Sequence, residues 1–136
     1  MSRNPMKPIL CLDFDGVLHS YATGWHGAGI VSDPPVPGAA RFLAEAVEKF
    51  EVNVFSSRSN QPGGIDAMRG AVIMWVMNEI DDAREARHVI DQIRFPTEKP
   101  PAMVSIDDRG LTFEGVWPKI DDLLAFKPWN KREKAK

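Results

Sequence analysis

Acids, serines and basic residues gather at three short stretches of this chain. The first is Asp13-Phe14-Asp15-Gly16, the second Ser56-Ser57-Arg58, the third Asp107-Asp108-Arg109, and each follows an apolar run. Carboxylates at i and i+2 point the same way along an extended chain, so Asp13 and Asp15 can share one site. Gly16 lets the backbone turn sharply where a side chain would crowd a ligand. Four carboxylates brought together, Asp13, Asp15, Asp107 and Asp108, repel one another unless a cation offsets them. A hard divalent ion does so, and Mg²⁺ typically takes one or two carboxylates with waters and substrate phosphate. A serine hydroxyl and a lysine complete a phosphoryl-binding set: Ser56, with Ser57 as the weaker candidate, and Lys99, eight residues before Asp107. Such groups stabilise a phosphoryl transition state through position and charge. Arg58 and Arg109 could grip a substrate phosphate bidentately; salt bridges to nearby acids read equally well.

Three separated stretches act together only if a scaffold brings their ends to one place. Short apolar strands alternate here with longer amphipathic stretches, the pattern of an α/β fold with a parallel sheet. Ligands of such sheets bind just beyond the carboxyl ends of the strands. The expected strands are 8–13, 52–55 and 102–106, with a further short one over 88–95. Helices are expected over 38–49, 65–79 and 119–126, the last with Pro118 in its first turn, and the charged stretch 81–87 reads as a helix end or a short helix. Leu111–Phe113 and Gly115–Trp117 read as a small hairpin. The connection from Gly16 to Pro37 is long, and loops of that length in small domains are usually functional. Its His19 and His26 could contact substrate, and Tyr21 and Trp25 could stack on a base or pin the loop to the core.

The 136 residues suffice for one domain with a real core. Apolar residues make up 43%, charged residues 26%, and the net charge is −2, which excludes a generally basic nucleic-acid coat. Residues 127–136 hold five basic side chains against one acidic. This basic tail, set apart from a single domain over 1–126, reads as a frayed terminus or a contact for an acidic partner. No apolar run reaches the ~18 residues of a membrane span, and Met1 to Pro8 lacks the apolar stretch of a signal peptide. The single cysteine, Cys11, excludes an internal disulfide and reads as a small buried hydrophobe. A reducing, cytoplasmic setting is the expectation.

Taken in order, these stretches resemble the four motifs of the haloacid dehalogenase (HAD) superfamily of aspartyl phosphatases. Asp13-Phe-Asp-Gly-Val-Leu resembles the first, Val54-Phe-Ser56-Ser-Arg the second, Lys99 the third and Ile106-Asp107-Asp108 the fourth, covering about 8 to 109. The resemblance implies a Rossmann-like, three-layer sandwich around a mostly parallel sheet. It also implies a Mg²⁺-dependent phosphomonoester hydrolase. Asp13 would be the nucleophile that takes the phosphoryl group. Asp15 would be general acid to the leaving oxygen and then base for the hydrolytic water, ordinary covalent catalysis. The acid role requires surroundings that raise the pKa of Asp15. Mg²⁺ would sit on the Asp13 carboxylate, the Asp15 carbonyl and Asp107 or Asp108; Ser56 would hold the phosphoryl oxygens, and Lys99 the phosphate and the charge of Asp13. The fourth motif is a bare Asp-Asp rather than a wider pair.

With only about twenty residues between the first motif and the next helix, there is no room for a large cap. An open site suits a bulky substrate such as a nucleic-acid end or a protein, and allows a phosphorylated small molecule if another subunit covers it. Members resembling the phosphatase half of polynucleotide kinase-phosphatases offer the comparison, although no phosphate-binding G-x-x-x-x-G-K-[ST] stretch occurs here. A calcium loop is excluded: with Gly16 at its sixth position, the twelfth is Ala22, not Glu. Two rivals stand. A phosphoacceptor signalling module uses similar groups in a different chain order. A catalytically silent nucleic-acid- or phosphate-binding module would leave Asp13, Asp15, Ser56 and Asp107 without purpose.

Overall fold

A computed structural model describes residues 7–131 of the chain. Four strands form one all-parallel sheet in the order β3-β2-β1-β4, from β1 (Ile9–Leu12), β2 (Glu51–Val54), β3 (Ile93–Arg94) and β4 (Val104–Ile106). The central pair, β1 and β2, is almost wholly buried, as inner strands of a parallel sheet should be, and the two polar residues of β2 meet each other, the Asn53 amide donating to the Glu51 carboxylate at 3.1 Å. Register sets Leu10 and Leu12 beside Val52 and Val54 on one face.

That face is covered by helices. The first, α1 (Ala39–Lys49), buries Ala39, Ala40, Leu43, Ala46 and Val47; the second, α2 (Gly64–Glu79), buries Met68, Ala71, Val72, Trp75 and Val76. Apolar side chains at three- and four-residue spacing give each helix this stripe. All belong to one core with Leu10, Leu12, Val52 and Val54. Both crossovers step the same way across the sheet, and right-handed connections put their helices on one side. The charged 81–87 stretch opens a third helix, α3 (Ala83–Asp91). The Asp82 carboxylate caps it, accepting from the backbone N–H of Arg84 and Glu85 at 2.8 and 3.1 Å.

Three expectations need correction. Half of 88–95, from His88 to Asp91, is helix, because the Asp82 cap starts a turn that Ala86, Val89 and Ile90 continue against the core, leaving only Ile93–Arg94 as strand. The 111–117 stretch makes no hairpin; Phe113 and Trp117 lean on each other instead, rings 4.7 Å apart. Pro118 lies outside the first turn of α4 (Ile120–Leu124), whose N-cap is Lys119. No residue of α4 is buried, so it does not supply the expected third layer. All of β4 is likewise exposed. No helix among the described residues is long and apolar enough to cross a membrane.

Candidate active site

The sheet register assembles the site. The Asp13 N–H donates to the Ile106 carbonyl on one side of β1 (3.0 Å), and the Phe55 N–H donates to the Leu12 carbonyl on the other (3.0 Å). Asp13 therefore emerges from β1 between the end of β2, with Ser56, and the end of β4, with Asp107. Phe14 separates the two acids of the first motif and is driven into the core, where its ring stacks on Trp75 of α2 (5.7 Å, 11° between planes). The Phe14 carbonyl accepts from the N–H groups of Val17, Leu18 and His19, which folds the chain back at once. Gly16 makes that fold possible: its φ is +82°, and a Cβ there would land on the Asp108 carboxylate.

A cleft of about 340 Å³ opens over these strand ends. Asp13, Asp15, Ser56, Ser57, Lys99, Asp107 and Asp108 all line it, joined by Arg109, Tyr21 and Trp25. Ser56 is buried; its hydroxyl accepts from the Arg58 N–H at 2.9 Å, which leaves the hydroxyl hydrogen to donate to a ligand. Its own N–H donates to the Ser59 hydroxyl at 3.0 Å, a local turn that fixes it.

Asp13, Asp107 and Asp108 each offer a carboxylate oxygen, all within 4.8 Å of one another. Burial, together with the charges of Asp107 and Asp108, pushes the Asp13 carboxyl up to about 7, against a 2.8 Å hydrogen bond from the Phe14 N–H. An all-oxygen donor set with surplus negative charge fits a hard divalent cation such as Mg²⁺.

Asp15 is held quite differently. Burial acts to raise its pKa but is outweighed: His19 and Arg58 keep the carboxyl below its ordinary range. Arg58 donates to it twice, Nε to Oδ2 at 2.9 Å and Nη2 to Oδ1 at 3.0 Å. His19 Nδ1 reaches Oδ1 at 2.8 Å. His19 Nε2 accepts from the Asp33 N–H at 3.1 Å, so the ring hydrogen sits on Nδ1 and points to Asp15. Asp33 is itself tied to the loop by the N–H and hydroxyl of Thr23. The raised pKa that an acid role for Asp15 requires is thus reversed here.

Of the two roles expected for Arg58, the structure shows the salt bridge to a nearby acid, Asp15. Arg58 was also a candidate for substrate phosphate, yet it is fully buried. Its Nη1 donates to the carbonyls of Gly27, Ala28 and Ile30 at 2.8–3.0 Å, and Trp25 stacks over its guanidinium at 4.8 Å. Bonded through all three guanidinium nitrogens, it ties the long loop to Asp15. His19 is buried beside it rather than facing substrate, and His26 is exposed, bonded to the Thr23 hydroxyl at 2.9 Å. Burial pushes the Cys11 thiol up, the opposite of an activated nucleophile.

Trp129 reaches the site from 113 residues away: its indole N–H donates to the Gly16 carbonyl at 2.7 Å. Pro128 beside it is buried, and Trp129–Lys131 forms a 3₁₀ turn. This part of the basic tail is therefore docked; its remainder, 132–136, lies outside the described residues. No local signal in the sequence announces so distant a contact. Set against known proteins, the chain matches no family model, no curated protein and no solved structure.

Proposed function

We propose that this protein is a Mg²⁺-dependent phosphomonoester hydrolase acting through a phosphoaspartyl intermediate, a capless protein of the HAD type. The observation that carries the proposal is the convergence of three strand ends on one cleft, with Asp13 at the centre of an acidic triad. Asp13, Asp107 and Asp108 would hold the ion. When bound it offsets their charge and that of the phosphoryl oxygens.

A phosphomonoester enters with its phosphoryl group over Asp13, where the Ser56 hydroxyl and Lys99 bind its oxygens. An Asp13 carboxylate oxygen attacks phosphorus, and the ester P–O bond breaks with its electron pair going to the leaving oxygen. Water then attacks the phosphorus of the acyl phosphate, the bond to Asp13 breaks, and inorganic phosphate leaves. Asp15 Oδ2 carries one hydrogen bond from the protein and keeps a lone pair to take the proton of that water. The bonding from Arg58 and His19 keeps Asp15 ionised, the form a base requires, and opposes the acid role, so the leaving oxygen draws its proton from water in the open cleft. Ser57 and Arg109 serve as further binding groups at the rim.

The test is phosphate release from a panel of aryl and alkyl phosphomonoesters. Release should stop on chelation with EDTA and return with added Mg²⁺. Undiminished turnover in a rigorously metal-free sample would overturn the metal assignment.

A further inference from the structure

Two aromatic rings of the long loop line the cleft without a part in the chemistry above. Tyr21 and Trp25 stand on its wall in company with Asp13 and Asp15. Trp25 is 47% exposed, too open for a ring that serves only as a core anchor. It is nonetheless held still, because the guanidinium it stacks on makes five hydrogen bonds to Asp15 and to the carbonyls of Gly27, Ala28 and Ile30. Tyr21 packs edge-on against the buried His19 ring at 5.8 Å and 68°. Its backbone is left-handed, φ +59°, among the described residues the one non-glycine position of this kind. Aromatic residues rarely adopt that conformation, and strain of this kind collects where a ligand is held.

Rings fixed before a ligand arrives can stack on it without the cost of ordering a loop. They share the cleft with Lys99 and Arg109, which can meet a phosphate whose remaining charge a cation on the acidic triad offsets. At about 340 Å³ the cleft lies at the low end of the ~300–1,000 Å³ that small-ligand pockets span. That is room for one small ester.

We infer that the cleft selects phosphomonoesters whose alcohol carries a planar aromatic ring, a nucleoside above all, with the ring stacked on Trp25 and Tyr21. The inference rests on the phosphatase reading and names its substrate class.

The test compares nucleoside 3′- and 5′-monophosphates with ribose 5-phosphate, which keeps the sugar and phosphate but lacks the ring. Steady-state constants are measured with Mg²⁺ for the wild type, Trp25→Leu, Trp25→Phe and Tyr21→Asn; Asn tolerates a left-handed backbone. For the wild type, at least one nucleotide should have a KM about 5- to 150-fold below that of ribose 5-phosphate, the range one stacked base supplies. Trp25→Leu and Tyr21→Asn should each shrink that ratio, and Trp25→Phe should keep most of it. A wild-type ratio near one overturns the inference. So does a ratio that survives both ring-removing variants, or a loss that falls equally on nucleotide and ribose 5-phosphate, since that marks a loop anchor. In each of these cases Mg²⁺-dependent turnover leaves the phosphatase reading standing. No release from any ester, aryl phosphate included, overturns both. Should Trp25→Leu fail to fold, the wild-type ratio and Tyr21→Asn still decide.

Discussion

Arg58 shows how packing decides between two readings of one side chain. Placed after Ser56-Ser57 at a strand end, it reads equally as a phosphate clamp or a salt-bridge partner; packed under the loop, it neutralises Asp15 and binds three carbonyls. Removing one partner of a buried ion pair leaves the other charge uncompensated, at about 3–5 kcal/mol. Arg58→Leu should therefore lose stability of that order in chemical denaturation, and a loss under about 1 kcal/mol would mean that the network does not hold the loop. Asp13 yields a prediction of opposite sign. Its carboxyl is raised from 3.8 to about 7 in the folded, metal-free protein. Between those values the folded state keeps a proton that the unfolded chain has given up, so stability falls as pH rises from about 4 to about 7. Asp15, lowered rather than raised, contributes stability that is lost only as pH falls below its ordinary value, outside that window. Urea midpoints in EDTA should decline over this range, and the decline should vanish in Asp13→Asn. An equal decline in both proteins would remove Asp13 as its source.

At the scale of elements, the turn after β1 governs the site. Gly16 combines a left-handed φ, a carbonyl that binds Trp129 and a surface on which Asp108 rests. Gly16→Ala strains the backbone and pushes Asp108 aside at once, so metal-dependent activity should fall further than stability. Mg²⁺ titration followed by calorimetry, with thermal unfolding alongside, checks it; unaltered Mg²⁺ affinity in the variant would show that Asp108 has room to move. Much of this arrangement was legible in the sequence. The apolar runs before Asp13, Ser56 and Asp107 located three strands, and parallel pairing then had to bring their ends together. Less legible was whatever depends on distant partners. The roles of Arg58, His19 and Trp129 are set by residues 4 to 113 positions away. Hydrophobic periodicity also carries no information on caps, which is why 88–95 reads as strand until Asp82 is seen to start a helix.

Over the whole molecule, chemistry and packing are unevenly distributed. The helices α1, α2 and α3 pack around a single core, while the stretch after β4 leaves Leu111, Val116, Trp117, Ile120 and Leu124 open to solvent. The cleft lies at the seam between these halves, with Asp13 supplied by the packed half and Asp107 and Asp108 by the open one. Among the described residues, the 20–37 loop that Arg58 secures and Trp129 on the Gly16 carbonyl flank the strand ends. The central claim is that Asp13 takes the phosphoryl group. It is tested most directly by rapid acid quench during turnover of a ³²P-labelled phosphomonoester with Mg²⁺, followed by peptide mapping. A hydroxylamine-labile label is expected on the Asp13 peptide, absent with EDTA and absent in folded Asp13→Asn, which should not turn over. Full turnover by folded Asp13→Asn, or label on another residue, would contradict it.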